Sequence, residues 1–340
     1  MKQGKTWAAL AAILTLAGAL PAQSLDIPSH RWGISFGNSK NFSGLRFNFR
    51  DNGVGHIRGV NITLWQPREK TNEDAVVDGL SFGLIPGGGT LRGVQVGLLG
   101  VAGIKNIQGI TLGLLGGGSG GSLKGINIGG LGMGAGEDIV GINIGGLGIG
   151  AGRDVVGLNV GGLGIGSGRN LTGINIGGLG IGASDDVKGI NIGGLGVGTG
   201  GDMIGLNIGG LGVGSGRNLT GINIGGLGVG AGESLSGLTF VGLAAGAPKV
   251  RGLVAAGFAT GGQDVRGVLL AGAFTTVPTG GEIRGLAASP VNWFKGSQTG
   301  LSFGIVNYAW SLKGLQIGLI NIVRDNPPGL KVLPIFNAGF

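Results

Sequence analysis

The sequence predicts an all-β protein built as a Gly-rich parallel β-solenoid with about 16 residues per coil and aromatic-rich caps. Three observations predict it. Glycine supplies 85 of the 340 residues, while Ile, Leu and Val recur at fixed places. From Gly109 onward a G-[IL]-[NT] unit recurs every 16 residues, and a regular period in this range is typical of repeat architectures. Within each unit, apolar residues alternate with small or polar ones, as strands with one buried face require.

Composition excludes the other fold classes. Each unit carries several glycines, and every glycine inside a helix costs about 1 kcal/mol relative to alanine, so a helical repeat is excluded. The glycines do not fall at every third position and there are only 10 prolines, which excludes collagen. The regularly spaced aliphatic residues supply apolar surface to bury, which disordered chains lack.

One unit, taken as the example, shows how the coil is predicted to close. The alternation breaks at Gly177–Gly178, again at Gly168–Arg169–Asn170, and a third time between Thr172 and Gly173. Glycine suits such corners because it readily adopts positive φ. With corners at these places, five apolar side chains are predicted to point inward: Leu171, Ile174, Ile176, Leu179 and Ile181.

The asparagine of each unit is predicted to form a ladder of side-chain amides. Stacked coils place equivalent residues about 4.8 Å apart in parallel register, so each amide donates to one neighbour and accepts from the other. We interpret the ladder as structural, with a row of binding sites as the alternative. Its members are Asn127, Asn143, Asn159, Asn175, Asn191, Asn207 and Asn223.

An outer-membrane β-barrel with one strand per unit is the alternative architecture. Such barrels alternate short and long turns, so their repeats should show a rhythm of two units. Here the phrase SGRNLTGINIGGLG begins at Ser167 and again at Ser215, three 16-residue units later. In an up-and-down barrel an odd separation places the same turn on opposite sides of the membrane, so the sequence favours the solenoid.

The two ends of the chain differ from its middle. Residues 1–22 read as a secretory signal peptide, with basic Lys2 and Lys5 before an apolar stretch and a small residue, Ala22, at the cleavage site. Residues 23–78 are predicted to form an N-terminal β cap, 79–285 the β-repeat solenoid, and 286–340 the C-terminal repeats and cap. Both caps are rich in aromatic residues and are expected to cover the open edges of the sheets.

The chain offers few residues for catalysis, and we predict no enzyme activity and no cofactor. Cysteine is absent, which excludes disulfides and thiolate metal sites. The only histidines, His30 and His56, stand without an obvious nucleophile or carboxylate around them in the sequence. No phosphate-binding loop occurs, and the scattered Lys and Arg residues argue against a nucleic-acid partner. No small-molecule substrate is evident.

One column of acidic residues is the weak candidate for a metal site. Stacked carboxylates repel each other, which invites a cation or a compensating side chain. Arg153, Arg169 and Arg217 stand in the adjacent column, so we favour solvated corners over ion binding. The column reads Asp138, Asp154, Asn170, Asp186, Asp202 and Asn218, of which the metal candidates are Asp138, Asp154, Asp186 and Asp202.

Several motifs resemble bacterial surface repeat-containing proteins, whose units read G-L-Q-I-G-L-I-N. They are SLKGLQIGLINIVRDNP (Ser311 to Pro327), LPIFNAGF (Leu333 to Phe340), GLRFNFRDN (from Gly44) and the central GINIGGLG units. The resemblance implies an exported protein at the cell surface or outer membrane of a Gram-negative-type bacterium, with the periplasm as a further compartment, and implies no reaction. The central units depart from the pattern by replacing Gln with Asn and adding Gly.

The sequence therefore predicts an exported, non-enzymatic repeat protein with a structural or interaction role at the bacterial cell envelope. The alternatives are an outer-membrane barrel acting as a pore or surface antigen, and an ion- or ligand-binding rod. The partners expected are envelope components or other surface proteins.

Overall fold

The protein is a parallel β-solenoid, as seen in a computed structural model that describes residues 24–339. This confirms the predicted fold class, and the solenoid is the one of the two predicted architectures that is observed. The proposed signal peptide, residues 1–22, lies outside the described residues. The chain divides into two compact units, unit 1 ending at Gly152 and unit 2 beginning at Arg153.

Unit 1 begins with an antiparallel pair, β1 and β2, and its later strands pair in parallel. Its elements are β1 (Ser24–Ser29), β2 (Trp32–Gly37), β3 (Asn41–Arg50), β4 (His56–Trp65), α1 (Glu69–Asn72), β5 (Val76–Gly83), β6 (Gly87–Gly97), β7 (Gly100–Gly113), β8 (Gly116–Ser119), β9 (Leu123–Gly129), β10 (Gly132–Ala135), β11 (Ile139–Gly145) and β12 (Gly148–Ala151).

Unit 2 repeats the parallel pattern and ends with an antiparallel strand, β30, which pairs with β29 and covers that edge. Its strands are β13 (Val155–Gly161), β14 (Gly164–Ser167), β15 (Leu171–Gly177), β16 (Gly180–Ala183), β17 (Val187–Gly193), β18 (Gly196–Thr199), β19 (Met203–Gly209), β20 (Gly212–Ser215), β21 (Asn218–Gly225), β22 (Gly228–Ala231), β23 (Ser234–Val241), β24 (Ala244–Ala256), β25 (Ala259–Ala271), β26 (Phe274–Val277), β27 (Glu282–Ala288), β28 (Val291–Phe303), β29 (Val306–Val323) and β30 (Val332–Gly339).

Each central coil consists of one long strand and one short strand. In the example coil, the long strand β15 ends at Gly177, the chain bends at Gly178 and Leu179, and the short strand β16 follows. We call this bend the leucine corner. The opposite bend, which holds the Asp and Arg residues at 168–170 and 184–186, is the charged corner. Equivalent strands stack in register: Gly173 pairs with Gly189 and Asn175 with Asn191.

A column of glycines with positive φ crosses the long strands of each unit. Their φ values lie near that of Gly189, +115°, a region that L-residues with side chains rarely adopt. A Cβ added at Gly189 would also strike the carbonyl oxygen of Gly173 in the preceding coil. The column comprises Gly33, Gly44, Gly59, Gly79, Gly93, Gly109, Gly125 and Gly141 in unit 1, and Gly157, Gly173, Gly189, Gly205, Gly221, Gly237, Gly252, Gly267, Gly285, Gly300 and Gly314 in unit 2.

The predicted set of inward-facing residues is wrong for three of its five members. Leu171 and Ile181 are buried, but Ile174, Ile176 and Leu179 are 43%, 39% and 48% exposed. The reason is that no break in alternation occurs at Gly173, because β15 runs through this glycine as one strand. From Leu171 onward, odd-numbered residues of this strand therefore point inward and even-numbered residues point outward. Asn175 is consequently inside, and Ile174 and Ile176 are outside.

The inner face of the long strands therefore carries a column of polar residues, each two positions after a glycine of the positive-φ column. In unit 1 this column includes Arg46, whose guanidinium donates to Asp51 Oδ1 at 2.7 Å and to Asn61 Oδ1 at 2.8 Å. All members are buried: Ser35, Arg46, Asn61, Ser81, Gln95, Thr111, Asn127 and Asn143. Buried polar groups normally have partners. Arg46 finds them in Asp51 and Asn61, whereas the side-chain polar atoms of Ser81, Gln95 and Thr111 make no hydrogen bond.

Candidate functional site

The amide ladder is present in each unit at hydrogen-bond distance. In unit 2, Asn175 Nδ2 donates to Asn191 Oδ1 at 2.8 Å, and Asn191 Nδ2 donates to Asn207 Oδ1 at 2.9 Å. In unit 1, Asn127 Nδ2 donates to Asn143 Oδ1 at 2.8 Å. Every one of these side chains is fully buried. The ladder therefore joins coils to each other and offers no surface to a ligand.

The ladder has a direction and ends where the asparagines end. Each amide donates to the coil that follows it in the chain, so Asn223 Nδ2 has no acceptor where Thr239 replaces asparagine. At the other end, Asn127 Oδ1 has no donor because Thr111 precedes it. A change of residue type at one position thus terminates the hydrogen-bond chain without interrupting the backbone pairing.

A second amide ladder lies in the short-strand interior near the end of unit 2, and sequence reasoning missed it. Asn292 Nδ2 donates to Asn307 Oδ1 at 2.7 Å, and Asn307 Nδ2 donates to Asn321 Oδ1 at 2.8 Å. The parallel phrases VNW and VNY, at Val291 and Val306, were the available signal. They were hidden because spacing loosens there and the period of 16 no longer applies.

The charged corner of unit 2 also links successive coils. Here side-chain carboxylates accept hydrogen bonds from backbone N–H groups of the next coil. Asp186 Oδ1 accepts from the backbone N–H of Asp202 at 3.0 Å, and Asp202 Oδ1 accepts from that of Asn218 at 3.2 Å. Arg217 lies 3.0 Å from Asp186 and 3.4 Å from Asp202. Lys188 Nζ donates to Asp186 Oδ2 at 2.9 Å.

Three carboxylates of the acidic column, those of Asp154, Asp186 and Asp202, each accept from a backbone N–H of the following coil. Asp154 Oδ1 accepts from both the backbone N–H and the side-chain amide of Asn170, at 3.1 and 3.0 Å, so asparagine separates it from the next carboxylate. Of the predicted compensating arginines, Arg217 contacts Asp186 and Asp202. Over residues 24–339, no cluster of three or more His, Cys, Asp or Glu side chains is placed to hold a metal ion.

Asp186 gives the charged corner a measurable dependence on pH. The pKa of its carboxyl is lowered, first by the backbone hydrogen bond from Asp202 and then by Lys188. A lowered folded-state pKa stabilises the protein above the unfolded-state value, near 3.9, and that stabilisation is lost as the pH falls through the folded-state value.

Asp186→Asn is therefore expected to lower the free energy of unfolding by about 1 kcal/mol at pH 7, with the difference from wild type shrinking below about pH 4. Asparagine keeps the acceptor for Asp202, as Asn170 does for Asp186, which limits the loss. Denaturation at several pH values measures it, and Asp185→Asn, at an exposed neighbouring side chain, is the control. An equal loss for Asp186→Asn at pH 3 and pH 7 would show that the carboxylate charge contributes nothing.

Each histidine has a carboxylate neighbour that sequence reasoning missed. His56 Nε2 lies 2.6 Å from Asp78 Oδ2, and His30 Nδ1 lies 3.3 Å from Asp26 Oδ2. Asp78 follows His56 by 22 residues and reaches it because β4 and β5 pair in neighbouring coils. Only the fold brings the pair together.

The outer surface of the long strands carries two columns of outward-facing apolar side chains, which the sequence had predicted to be buried. One and three residues after each column glycine, the outward side chains are apolar in every coil. In unit 2 the first of these columns reads Leu158, Ile174, Ile190, Leu206, Ile222, Leu238, Leu253, Val268, Leu286, Leu301 and Leu315. The second reads Val160, Ile176, Ile192, Ile208, Ile224, Phe240, Ala255, Leu270, Ala288, Phe303 and Ile317.

A third apolar column runs along the leucine corner of unit 2. Its side chains are between 48% and 55% exposed: Leu163, Leu179, Leu195, Leu211, Leu227, Leu243 and Phe258. We call the three columns together the apolar surface. Exposed apolar patches on soluble monomers rarely exceed a few hundred Å², whereas these columns run through successive coils of unit 2.

Fold and surface together define the class of protein: a β-solenoid repeat protein with a polar ladder inside and apolar columns outside. Comparison with protein-family models, with curated proteins and with solved structures finds no match to this chain. No helix among residues 24–339 is long and apolar enough to cross a membrane.

Proposed function

We propose that this protein is an exported, non-enzymatic element of the bacterial cell envelope, with a structural or interaction role. The observation that carries the proposal is the apolar surface. Residues 24–339 fold through hydrogen bonds and packing between coils, and the apolar columns take no part in that interior. Exposing apolar side chains to water costs free energy, and a large exposed apolar surface is typical of proteins in which a partner covers it.

The surroundings of the apolar surface agree with an interaction role. At the charged corner, Asp154, Asp186 and Asp202 already accept from backbone N–H groups, and the ladder asparagines are buried. The side chains of the three apolar columns take no part in these contacts. Export is supported by the signal-like N-terminus, Lys2 to Ala22, and by the resemblance of the C-terminal motifs to bacterial surface repeat proteins.

Fractionation of the producing bacterium tests the proposal. We expect the mature protein, starting at Gln23 by N-terminal sequencing, in the envelope fraction. Leu14→Arg, which interrupts the apolar stretch of the signal, should keep an uncleaved chain in the cytosol, and Asn218→Asp, far from the signal, should be exported normally. An uncleaved wild-type chain found in the cytosol contradicts the proposal.

A further inference from the structure

We propose that the leucine corner of unit 2, with the apolar columns beside it, inserts into the acyl region of one leaflet of an anionic lipid membrane. This deepens the proposed interaction role by naming the partner, and it rests on the proposed function only for its cellular setting.

The apolar surface wraps around an edge of the coil. Ile174 and Ile176 lie on the outer face of the long strand, and Leu179 lies at the corner. On the other side, the outward positions of the short strand are Gly180 and Gly182, which present no polar side chain. A folded partner with one flat face covers one side of such an edge, whereas fluid acyl chains cover the edge and both sides.

The second glycine of each short strand supports this interpretation because the coil does not require it. A Cβ built at Gly166 or Gly198 meets nothing within 4 Å, and neither residue has a positive φ. Glycine inside a strand weakens it and often marks close approach of another molecule to the backbone. Its repetition here keeps the edge beside the leucine column narrow.

The backbone N–H groups at the leucine corner are paired within the protein. The N–H of Gly178 donates to Gly161 O at 3.0 Å, and that of Leu179 donates to Leu163 O at 2.6 Å. The N–H of Gly180 also donates to Leu163 O, at 3.1 Å. Hydrocarbon offers no hydrogen bonds, so only a backbone satisfied internally enters it without a large loss. The N–H groups of the leucine corner meet that condition.

A column of positively charged side chains lies beside the apolar surface. Two residues before the first apolar column, on the same outer face of unit 2, five positions are cationic: Lys188, Arg251, Arg266, Arg284 and Lys313. No acidic residue occupies this column. The acidic partners Asp186, Asp264 and Glu282 lie farther toward the charged corner. Long Lys and Arg side chains extend from an apolar surface to lipid phosphates, which places this column at headgroup level.

A groove on the apolar surface is suited to an acyl chain. It is a shallow, open depression of about 650 Å³ at Ala255, where alanine replaces a larger residue of the second apolar column, and Phe240 and Leu270 lie on either side. Its walls are apolar side chains and glycine backbone. The groove lies between the second apolar column and the leucine corner, which is the region proposed to enter the leaflet.

Single-cysteine labelling tests the orientation, and the cysteine-free chain makes the label unique. Leu227→Cys places a nitroxide at the leucine corner, and Glu233→Cys places one at the charged corner of the same coil. With vesicles of phosphatidylcholine and phosphatidylglycerol in a 3:1 ratio, accessibility to oxygen relative to a water-soluble nickel complex should rise at 227 and stay unchanged at 233. No change at 227, or an equal change at both positions, overturns the proposal.

Vesicle flotation measures the contribution of the side chains. Leu195→Ser combined with Leu211→Ser should lower the vesicle partition coefficient at least tenfold, because two half-exposed leucines lose their apolar area. The matched control is Leu330→Ser with Val332→Ser, exposed apolar residues outside the three columns. Equal loss in both double variants overturns the proposal; unchanged circular dichroism confirms that each variant is folded, and the labelled Leu227→Cys protein decides the matter if one is not.

The lipid and the oligomeric state complete the test. Removing phosphatidylglycerol should weaken binding, and Lys188→Gln with Arg284→Gln should reduce that dependence on lipid charge, because two of the five cations are lost; binding that ignores lipid charge overturns the proposal of an anionic membrane. If light scattering shows a dimer that the leucine variants dissociate, and vesicles do not bind, a second copy covers the surface instead. Vesicle binding is independent of cellular location, so its failure is distinguishable from failure of export.

Discussion

Replacing Gly189 by alanine is expected to lower the free energy of unfolding by about 3 kcal/mol or more. Gly189 has φ of +115°, so a side chain there adopts a strained backbone conformation. The new methyl group would also strike the carbonyl oxygen of Gly173, which is held in place by the stacked coils. Neither the strain nor the clash is relieved without separating two coils. Urea denaturation followed by circular dichroism measures the loss.

Gly198→Ala, nine residues later, is the matched control. It adds the same methyl group to the same kind of repeat, but its Cβ meets nothing within 4 Å and its φ is not positive. Its effect should stay within about 1 kcal/mol of zero, and a small gain is expected because alanine restricts the unfolded chain. Similar losses in the two variants would contradict the distinction between glycines that the coil requires and glycines that it does not.

Asn191→Asp is expected to be comparably destabilising at neutral pH, by about 3–5 kcal/mol. The substitution barely changes the shape of the side chain. It places a carboxylate where no solvent reaches, and it replaces the amide that donates to Asn207 Oδ1 at 2.9 Å by an oxygen. Two acceptors then face each other unless the carboxyl is protonated.

The pH dependence identifies the cause of that loss. Burial without a cation raises the folded-state pKa of the new carboxyl above its unfolded value, near 3.9. Below the unfolded value the group is protonated in both states and donates to Asn207, so the variant approaches wild type. As the pH rises above that value the deficit grows, until the folded-state pKa is reached.

Denaturation of variant and wild type at pH 3 and pH 7 measures this difference. Asn218→Asp is the control. It removes the same kind of donor, since Asn218 Nδ2 donates to Asp202 Oδ1 at 2.9 Å, but at a half-buried corner where water and Arg217 offset the added charge, so it should cost only about 1 kcal/mol. A deficit of the same size at pH 3 and pH 7 would mean that lost packing, not buried charge, is responsible.

Spacing and residue type were enough to predict the register and the ladder. Sixteen residues separate each asparagine from the next, and parallel stacking at one strand spacing brings identical residues into contact. An amide is both donor and acceptor, so a column of asparagines satisfies itself. These inferences hold wherever the repeat is exact, and the Asn292 ladder was missed where it is not.

The side on which each residue lies was not predictable in the same way. A glycine can form a corner, a bulge, or a point of positive φ within a continuous strand, and the sequence alone does not distinguish these three conformations. Assigning a corner at Gly173 turned Ile174 and Ile176 inward, which agreed with the general rule that apolar residues are buried. The observed strand continues through Gly173 and reverses that assignment.

The sequence by itself therefore determined the fold class, the period, the in-register stacking and the identity of the amide ladder, because these follow from spacing and from the chemistry of repeated side chains. Only the tertiary structure decided which columns face the interior, which carboxylates meet which backbone N–H groups, and that His56 meets Asp78. Those outcomes depend on the φ of one glycine per coil and on contacts between coils, and neither is a property of any single repeat.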